Sequence, residues 1–132
     1  MAQDRLNVIH SMYDAFGNGD MDRVAALIAE THWEEAEGMP YGGRYQGADE
    51  IFQNVFGRIV ADVENFSVRP DEILPVEDDR VLGLGRYKGK GRSGDLDVAF
   101  AHLWTVRDGK NVKFVQYADT HKYREACALP GV

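Results

Sequence analysis

The spacing of apolar residues divides the chain into a helical first half and a stranded second half. Up to Asp62 the apolar residues recur every three to four positions, which is the period of an amphipathic helix. After Asn65 they alternate with polar residues, which is the period of a strand. This pattern predicts three helices followed by a meander of four strands. It therefore indicates an α+β domain in which helices cover one face of a curved antiparallel sheet.

The helices are predicted at well-separated positions. Asp20 follows the glycine-rich end of the first helix and caps a short second helix. The third helix runs from about Ala48 to Asp62. Residues 32–37 are predicted to be extended, and residues 39–43 to form a loop. The inward stripe of the first helix consists of Leu6, Ile9, Tyr13 and Phe16.

The last two strands form a predicted hairpin with a histidine and a carboxylate on one face. A two-residue turn at 108–109 would set His102 opposite Val115. A four-residue loop at 108–111 would set His102 opposite Tyr117, and we favour this longer loop. Both registers keep His102 and Asp119 on the same face, because side chains alternate along a strand.

A carboxylate on an inward face calls for an explanation, because a buried charge costs several kcal/mol unless it is partnered. Asp119 is interpreted either as a general base or as a structural hydrogen-bond acceptor. His102 is interpreted either as a hydrogen-bond donor to a substrate or as a satisfied interior histidine. One of Glu35 and Glu37 is expected to reach the same cavity, unless the acidic segment is only a solvated edge.

Composition excludes several classes of function. The formal net charge is −7, and no basic stripe offers a surface for a phosphate backbone, so we predict no nucleic-acid partner. No apolar run is long enough for a membrane span, and the first residues lack the apolar stretch of a signal peptide. A single cysteine, Cys127, allows no internal disulfide. These features predict one cytoplasmic domain over residues 1–132 that does not associate with a membrane.

Neither a cofactor nor a metal site is predicted. The glycines at 89, 91 and 94 match a dinucleotide-binding pattern, but a predicted strand follows them where that pattern requires a helix. The four histidines lie on different predicted elements, without the spacing of a metal site.

Several motifs carry a resemblance to a known family over about residues 4–123. They are Gly19-Asp20, residues 38–43 with 45–47, residues 100–104, residues 107–110 and residues 116–120. With them the chain resembles the nuclear-transport-factor-2-like (NTF2-like) superfamily, in the branch of SnoaL-like polyketide cyclases and steroid Δ5-isomerases. The resemblance implies a cone in which three N-terminal helices and the concave sheet face enclose an apolar pocket. It also implies a homodimer through the convex face, where Ala99, Ala101 and Leu103 are predicted to lie.

The resemblance also implies roles for individual residues. Asp119 falls at the position of the cyclase base, and His102 at that of a neighbouring hydrogen-bonding acid. Steroid isomerases have a carboxylic acid at the position of His102. Their base aligns near Glu37 only if one residue is inserted, and the tyrosine of their first helix aligns with Met12 rather than Tyr13. These departures favour a cyclase-like site over a steroid isomerase.

We therefore predict a cofactor-independent enzyme that acts on a small hydrophobic carbonyl compound by abstracting a proton from carbon, in a cyclisation or an isomerisation. The predicted catalytic residues are Asp119 as base, His102 as hydrogen-bond donor, and Glu37. The predicted pocket residues are Tyr13, Trp33, Phe56, Phe100, Trp104 and Tyr117.

Two alternatives remain from the sequence. The first is a non-catalytic NTF2-like module that binds a small molecule or a protein through the same cavity. The second is an epoxide hydrolase, which in this fold uses two carboxylates and an arginine, and for which Arg86 and Arg44 are available.

Overall fold

The computed structural model describes residues 2–128, which form one six-stranded sheet with accompanying helices. The strands are β1 (His32–Glu35), β2 (Gly43–Gln46), β3 (Val63–Val76), β4 (Arg80–Gly91), β5 (Asp95–Arg107) and β6 (Lys110–Ala118). Their order in the curved sheet is β2-β1-β6-β5-β4-β3. Neighbouring strands are antiparallel except β1 and β6, which run parallel.

The helices of the first half confirm the predicted periodicity. They are α1 (Ala2–Gly17), α2 (Met21–Leu27), α3 (Gly47–Ile51) and α4 (Gly57–Asp62). The side chain of Asp20 caps α2 by accepting a hydrogen bond from the Arg23 backbone N–H at 3.1 Å. The predicted third helix is interrupted, because Phe52–Phe56 forms a π-helical turn between α3 and α4. Such turns occur often at functional sites, and this one places Phe56 over the sheet.

Two elements differ from the prediction. The strand β2 lies in a region of the sequence without apolar alternation, and it forms through four antiparallel pairs with β1. A further helix, α5 (Thr120–Cys127), follows the last strand. Its only buried residues are Tyr123 and Cys127, one turn apart, which is too sparse a signal for a helix prediction.

The hairpin between β5 and β6 has a register that differs from both predicted ones. The turn is the short one, with Arg107 paired to Lys110 and positive φ angles at Asp108 (51°) and Gly109 (74°). The ladder then shifts by one residue, because Val112 is an extra residue in β6. As a result His102 pairs with Gln116.

This bulge reverses the inward face of β6. A one-residue shift moves every following side chain to the other side of the sheet. Phe114 and Gln116 are therefore buried under the helices, whereas Tyr117 points outward and is 57% exposed. The predicted inward positions of Tyr117 and Asp119 are wrong for this reason.

The outward face of the sheet carries apolar residues at its centre. Leu103 is flanked by Leu82 on β4 and Val115 on β6, and the neighbouring row joins Leu84, Ala101 and Tyr117. Charged pairs such as Arg86 with Asp97 lie beside it. Such an uncharged centre with paired charges at its edge is compatible with a two-fold contact, in which one surface meets its own copy.

We propose that this face pairs two copies of the chain, as the sequence analysis expected. Leu103→Glu would place a charge at the centre of the contact, so we expect the dimer mass to fall to that of a monomer in light scattering after gel filtration. Val60→Glu is the matched control, because Val60 is 75% exposed on α4 and away from this face. A monomeric wild-type protein at micromolar concentration would contradict the proposal.

Candidate active site

A cavity of about 40 Å³ lies between the concave face of the sheet and the helices α1 and α4. Its wall is largely aromatic, and one side of it is polar. A volume of this size holds roughly three water molecules. The aromatic part includes Phe16, Trp33, Phe56, Phe66, Trp104 and Phe114. The polar part consists of Tyr13, Glu35, Tyr87, His102 and Gln116.

His102 lies at the centre of the polar side, between two tyrosine hydroxyls. Its Nδ1 atom is 2.8 Å from the Tyr13 hydroxyl, and its Nε2 atom is 2.5 Å from the Tyr87 hydroxyl. The ring of Phe100 stacks on the imidazole, with centroids 3.8 Å apart. These contacts fix both the position and the plane of the histidine ring.

The histidine is held in its neutral form. Its side chain is buried, and burial lowers the pKa of His102 well below its usual range. Its two hydrogen-bond partners are phenols, and burial raises the pKa of each of them as well. The cluster therefore stays uncharged at neutral pH and offers hydrogen bonds rather than a positive charge.

Glu35 is the one carboxylate among the residues lining this cavity. It is 3% exposed, and its Oε1 atom accepts a hydrogen bond from the Trp33 indole N–H at 2.7 Å. Its Oε2 atom is buried and has no hydrogen-bond partner. Burial raises the pKa of Glu35 to about 7, and the hydrogen bond from Trp33 and the nearby side-chain amide of Gln116 oppose this shift. A carboxyl group with such a pKa exchanges protons readily near neutral pH.

A second pair of buried tyrosines lies near Glu35. The Tyr41 hydroxyl donates a hydrogen bond to the Tyr123 hydroxyl, and both rings are at most 2% exposed. Burial raises the pKa of both residues, and the charge of Glu35 contributes to the shift. Tyr123 belongs to α5, so the C-terminal helix closes the domain beside the carboxylate.

The structure brings several of the predicted pocket residues together. Tyr13, Trp33, Phe56 and Trp104 line the cavity, and His102 lies at its polar side. Phe100 is buried and contacts the histidine ring, although it does not line the cavity. The tyrosine that reaches the site from the first helix is Tyr13, whereas Met12 is buried in the core.

Other predicted positions are wrong. Asp119 is exposed, and its side chain caps α5 by accepting a hydrogen bond from the Lys122 backbone N–H at 3.0 Å. Glu37 is exposed in the turn after β1, because the strand ends at Glu35 and the alternation ends with it. Tyr117 lies on the outward face, as described above.

The two arginines considered for an epoxide hydrolase also lie outside the cavity. Arg86 pairs with Asp97 at 2.5 Å on the outward face of the sheet. Arg44 pairs with Glu34 at 2.9 Å, and its side chain is 87% exposed. The carboxylate–arginine arrangement that such chemistry requires is therefore not assembled by these residues.

Sequence reasoning missed Tyr87. It could have been found, because it continues the inward alternation of Val81, Gly83 and Gly85 along β4. The inward orientation of Gln116 depends on the bulge at Val112, which the sequence pattern does not show.

Within residues 2–128, no helix is long and apolar enough to cross a membrane. Within the same residues, no group of three or more histidine, cysteine, aspartate or glutamate side chains is arranged to hold a metal ion.

Gly83 makes room for the Tyr13 hydroxyl. It pairs with His102 in the sheet, and a Cβ atom at this position would lie 2.2 Å from the Tyr13 hydroxyl oxygen. Since this separation is far below van der Waals contact, any side chain at position 83 must displace the phenol from the histidine.

We expect Gly83→Ala to break the hydrogen bond between Tyr13 and His102 while the sheet still forms. The ¹H–¹⁵N resonance of the Trp104 indole, which donates to the Tyr13 hydroxyl at 3.1 Å, should shift. Gly17→Ala is the control, since a Cβ atom there meets nothing within 4 Å. An unchanged Trp104 resonance in Gly83→Ala would contradict this role of the glycine.

Comparison with known proteins places this geometry in a family. The model of the SnoaL-like domain matches residues 9–114. Comparison with curated protein sequences gives no match.

Solved structures agree with this assignment. An NTF2-like protein from Burkholderia thailandensis is 34% identical, with a TM-score of 0.86 over 92% of this chain and 95% of that one. A Catenulispora acidiphila protein with a ketosteroid isomerase-like fold, crystallised with trimethylamine, is 17% identical, with a TM-score of 0.76 over 93% of each chain. A polyketide cyclase candidate from Sinorhizobium meliloti is 17% identical, with a TM-score of 0.66 over 84% of this chain and 94% of that one. The chain belongs to the SnoaL-like domain family of the NTF2-like superfamily.

Proposed function

We propose that this protein is an enzyme that abstracts a proton from carbon next to a carbonyl group, with Glu35 as the general base. The observation that carries the proposal is the unpartnered Oε2 atom of Glu35, buried in an apolar cavity beside neutral hydrogen-bond donors. Asp119, the base expected from sequence, is replaced in this role because its side chain caps α5.

Glu35 suits proton abstraction from carbon both in its pKa and in its position. A general base works best when its pKa lies near the working pH, and the pKa of Glu35 is about 7. The Glu35 side chain is 3% exposed, so little of a hydration shell must be removed before it accepts a proton. The Trp33 indole leaves one carboxylate oxygen free to receive the proton.

A tyrosine hydroxyl beside His102, on Tyr13 or on Tyr87, supplies the second requirement, which is stabilisation of the oxygen on which negative charge develops. Both hydroxyls belong to the polar side of the cavity, and His102 holds both in place. Fixed, neutral donors in a low-dielectric site stabilise an enolate oxygen strongly, because they need no reorganisation during the reaction.

The cavity restricts the substrate to a small, mainly apolar molecule. Its walls are largely aromatic, and its volume of about 40 Å³ is less than most organic molecules require. Phe56, on the π-helical turn, is half-buried and contacts Phe16 and Trp33 edge to face, so its movement would enlarge the site. Isomerisation and intramolecular cyclisation are both compatible with one base and one oxygen site, and neither requires a cofactor.

The proposal is tested by hydrogen exchange at carbon. Purified protein in D₂O is incubated with cyclopentanone, cyclohexanone or 2-indanone, and loss of the α-hydrogen is followed by NMR. We expect Glu35→Gln to slow catalysed exchange by roughly 10²–10⁴-fold, because an amide cannot accept the proton. In the wild type the rate should rise with pH through about 7, since the ionised carboxylate is the active form.

Glu34→Gln is the matched control, because this neighbouring carboxylate forms an ion pair with Arg44 away from the cavity. It should exchange the ketone at the wild-type rate. Ketone binding without any catalysed exchange would contradict the enzymatic proposal and favour a non-catalytic binding module.

A further inference from the structure

The hydrogen bonds around His102 have directions that can be assigned from chemistry alone. The Trp104 indole nitrogen can only donate, so the Tyr13 hydroxyl oxygen accepts from it. The Gln116 Oε1 atom accepts from the Ala36 backbone N–H at 3.2 Å, so the amide nitrogen faces Tyr87. It donates to the Tyr87 hydroxyl oxygen at 2.8 Å. Tyr13, His102 and Tyr87 thus form a hydrogen-bonded chain. Each of its two phenols also accepts a hydrogen bond from a fixed donor outside it, Trp104 for Tyr13 and Gln116 for Tyr87.

This hydrogen-bonded chain contains one more hydrogen than it has internal hydrogen bonds. A neutral imidazole carries one N–H, and each phenol carries one O–H, so Tyr13, His102 and Tyr87 hold three hydrogens. The chain has only two internal contacts, one at each ring nitrogen. One hydrogen is therefore always available to an acceptor in the cavity.

The tautomer of His102 decides where this hydrogen is. If Nδ1 carries the proton, it donates to Tyr13, Tyr87 donates to Nε2, and the free hydrogen is on Tyr13. If Nε2 carries the proton, it donates to Tyr87, Tyr13 donates to Nδ1, and the free hydrogen is on Tyr87.

The two ends of the chain have different neighbours. Gln116 links the Tyr87 hydroxyl to the backbone beside Glu35, and Glu35 and Tyr87 both line the cavity. Burial raises the pKa of both tyrosines. The charge of Glu35 adds to the shift at Tyr87, whereas the hydrogen bond from Trp104 opposes the shift at Tyr13. Glu35 is therefore at the Tyr87 end, and the Tyr13 end is left for a ligand oxygen.

We propose that Tyr13, His102 and Tyr87 form a proton relay between Glu35 at one end and a carbonyl oxygen bound at Tyr13 at the other, with His102 changing tautomer and never becoming cationic. The relay rests on the proposed function, because it uses Glu35 as the base. In this relay His102 takes part in proton transfer. It is therefore not simply a buried histidine whose hydrogen-bonding groups are satisfied.

The transfers balance in a single keto–enol step. Glu35 takes the proton from the α-carbon, and the C–H electron pair becomes the new carbon–carbon double bond while the carbonyl π pair moves to oxygen. That oxygen takes the hydrogen of Tyr13, which takes the proton of Nδ1. Nε2 takes the hydrogen of Tyr87, and Tyr87 takes the proton from Glu35 through one water molecule in the cavity, since no hydrogen bond joins the two side chains directly. One proton has moved from carbon to oxygen, Glu35 is again a carboxylate, and His102 has become the other tautomer.

Running the same transfers backwards returns the proton to carbon and restores the first tautomer. An isomerisation, in which the proton returns to a second carbon, therefore resets the relay in each turnover. A reaction that releases the enol would leave the histidine in the wrong tautomer for the next cycle. The relay thus favours isomerisation of a small enolisable ketone as the reaction class.

The tautomer can be observed directly by ¹⁵N NMR of histidine side chains at pH 8, with His102 assigned by comparison with His102→Gln. Without ligand we expect the Nε2–H tautomer, because ionised Glu35 attracts the free hydrogen to Tyr87. With saturating 2-indanone, cyclopentanone or cyclohexanone we expect the Nδ1–H tautomer. Binding is monitored separately through the Trp104 indole resonance. A bound ketone that leaves the tautomer unchanged, or an imidazolium between pH 6 and 8, overturns the relay.

A variant separates the relay from the base. Tyr87→Phe removes the link to Glu35 but retains Glu35, His102 and Tyr13, and we expect it to slow ketone exchange by about tenfold or more. Tyr41→Phe is the matched control, since Tyr41 is another buried tyrosine near Glu35 but outside the chain. Its exchange rate should equal that of the wild type.

The outcomes distinguish the two proposals. If exchange depends on Glu35 but is unchanged in Tyr87→Phe, the relay is wrong and the base assignment stands. If the wild type binds none of the three ketones, or binds them without exchange, the proposed function is wrong and the relay fails with it.

Discussion

The extra residue at Val112 determines which side chains of β6 face the cavity, and the polar side of the site depends on it. With this bulge, Gln116 points inward opposite His102, where it hydrogen bonds to Tyr87. Without it, Val115 and Tyr117 would occupy the inward face and Tyr87 would lose the hydrogen bond from Gln116. A single inserted residue thus converts an apolar strand face into one that completes a hydrogen-bonded cluster.

The cluster and the carboxylate are kept neutral or nearly so by the same cause, which is burial. For His102 burial lowers the pKa, and for Glu35 burial raises it, so both prefer their uncharged forms. Because the pKa of Glu35 rises from about 4.5 to about 7 on folding, the folded state binds this proton more tightly than the unfolded chain. Its contribution to stability is present below pH 4.5 and is lost as the pH rises to 7, by about 3 kcal/mol. The fold therefore carries an energetic cost at neutral pH that a ligand or substrate can offset.

Much of the cavity wall could be predicted from the sequence, because it depends on local period. Tyr13 and Phe56 follow helical spacing, and Trp33, His102 and Trp104 follow strand alternation. The three helical regions of the first half follow from the same signals, together with the cap at Asp20.

The position of Glu35 and the hydrogen bonds around it could not be predicted from the local sequence pattern. Alternation places Glu35 and Glu37 on one side, and only the end of β1 separates the buried residue from the exposed one. Asp119 was misplaced because the bulge shifts the register and because α5 begins immediately after it. The need for glycine at position 83 could not be predicted from the sequence pattern, because it arises from the short distance between Gly83 and the Tyr13 hydroxyl on another element.

The central claim is that Glu35 is a buried carboxyl group that titrates near neutral pH. The most direct measurement is the ¹³C chemical shift of its side-chain carboxyl carbon between pH 4 and 9, assigned by comparison with Glu35→Gln. We expect a midpoint at about 7, well above the ordinary value for a glutamate side chain. A midpoint near 4.5 would show that the carboxylate is solvated or paired, and it would contradict both the base and the relay.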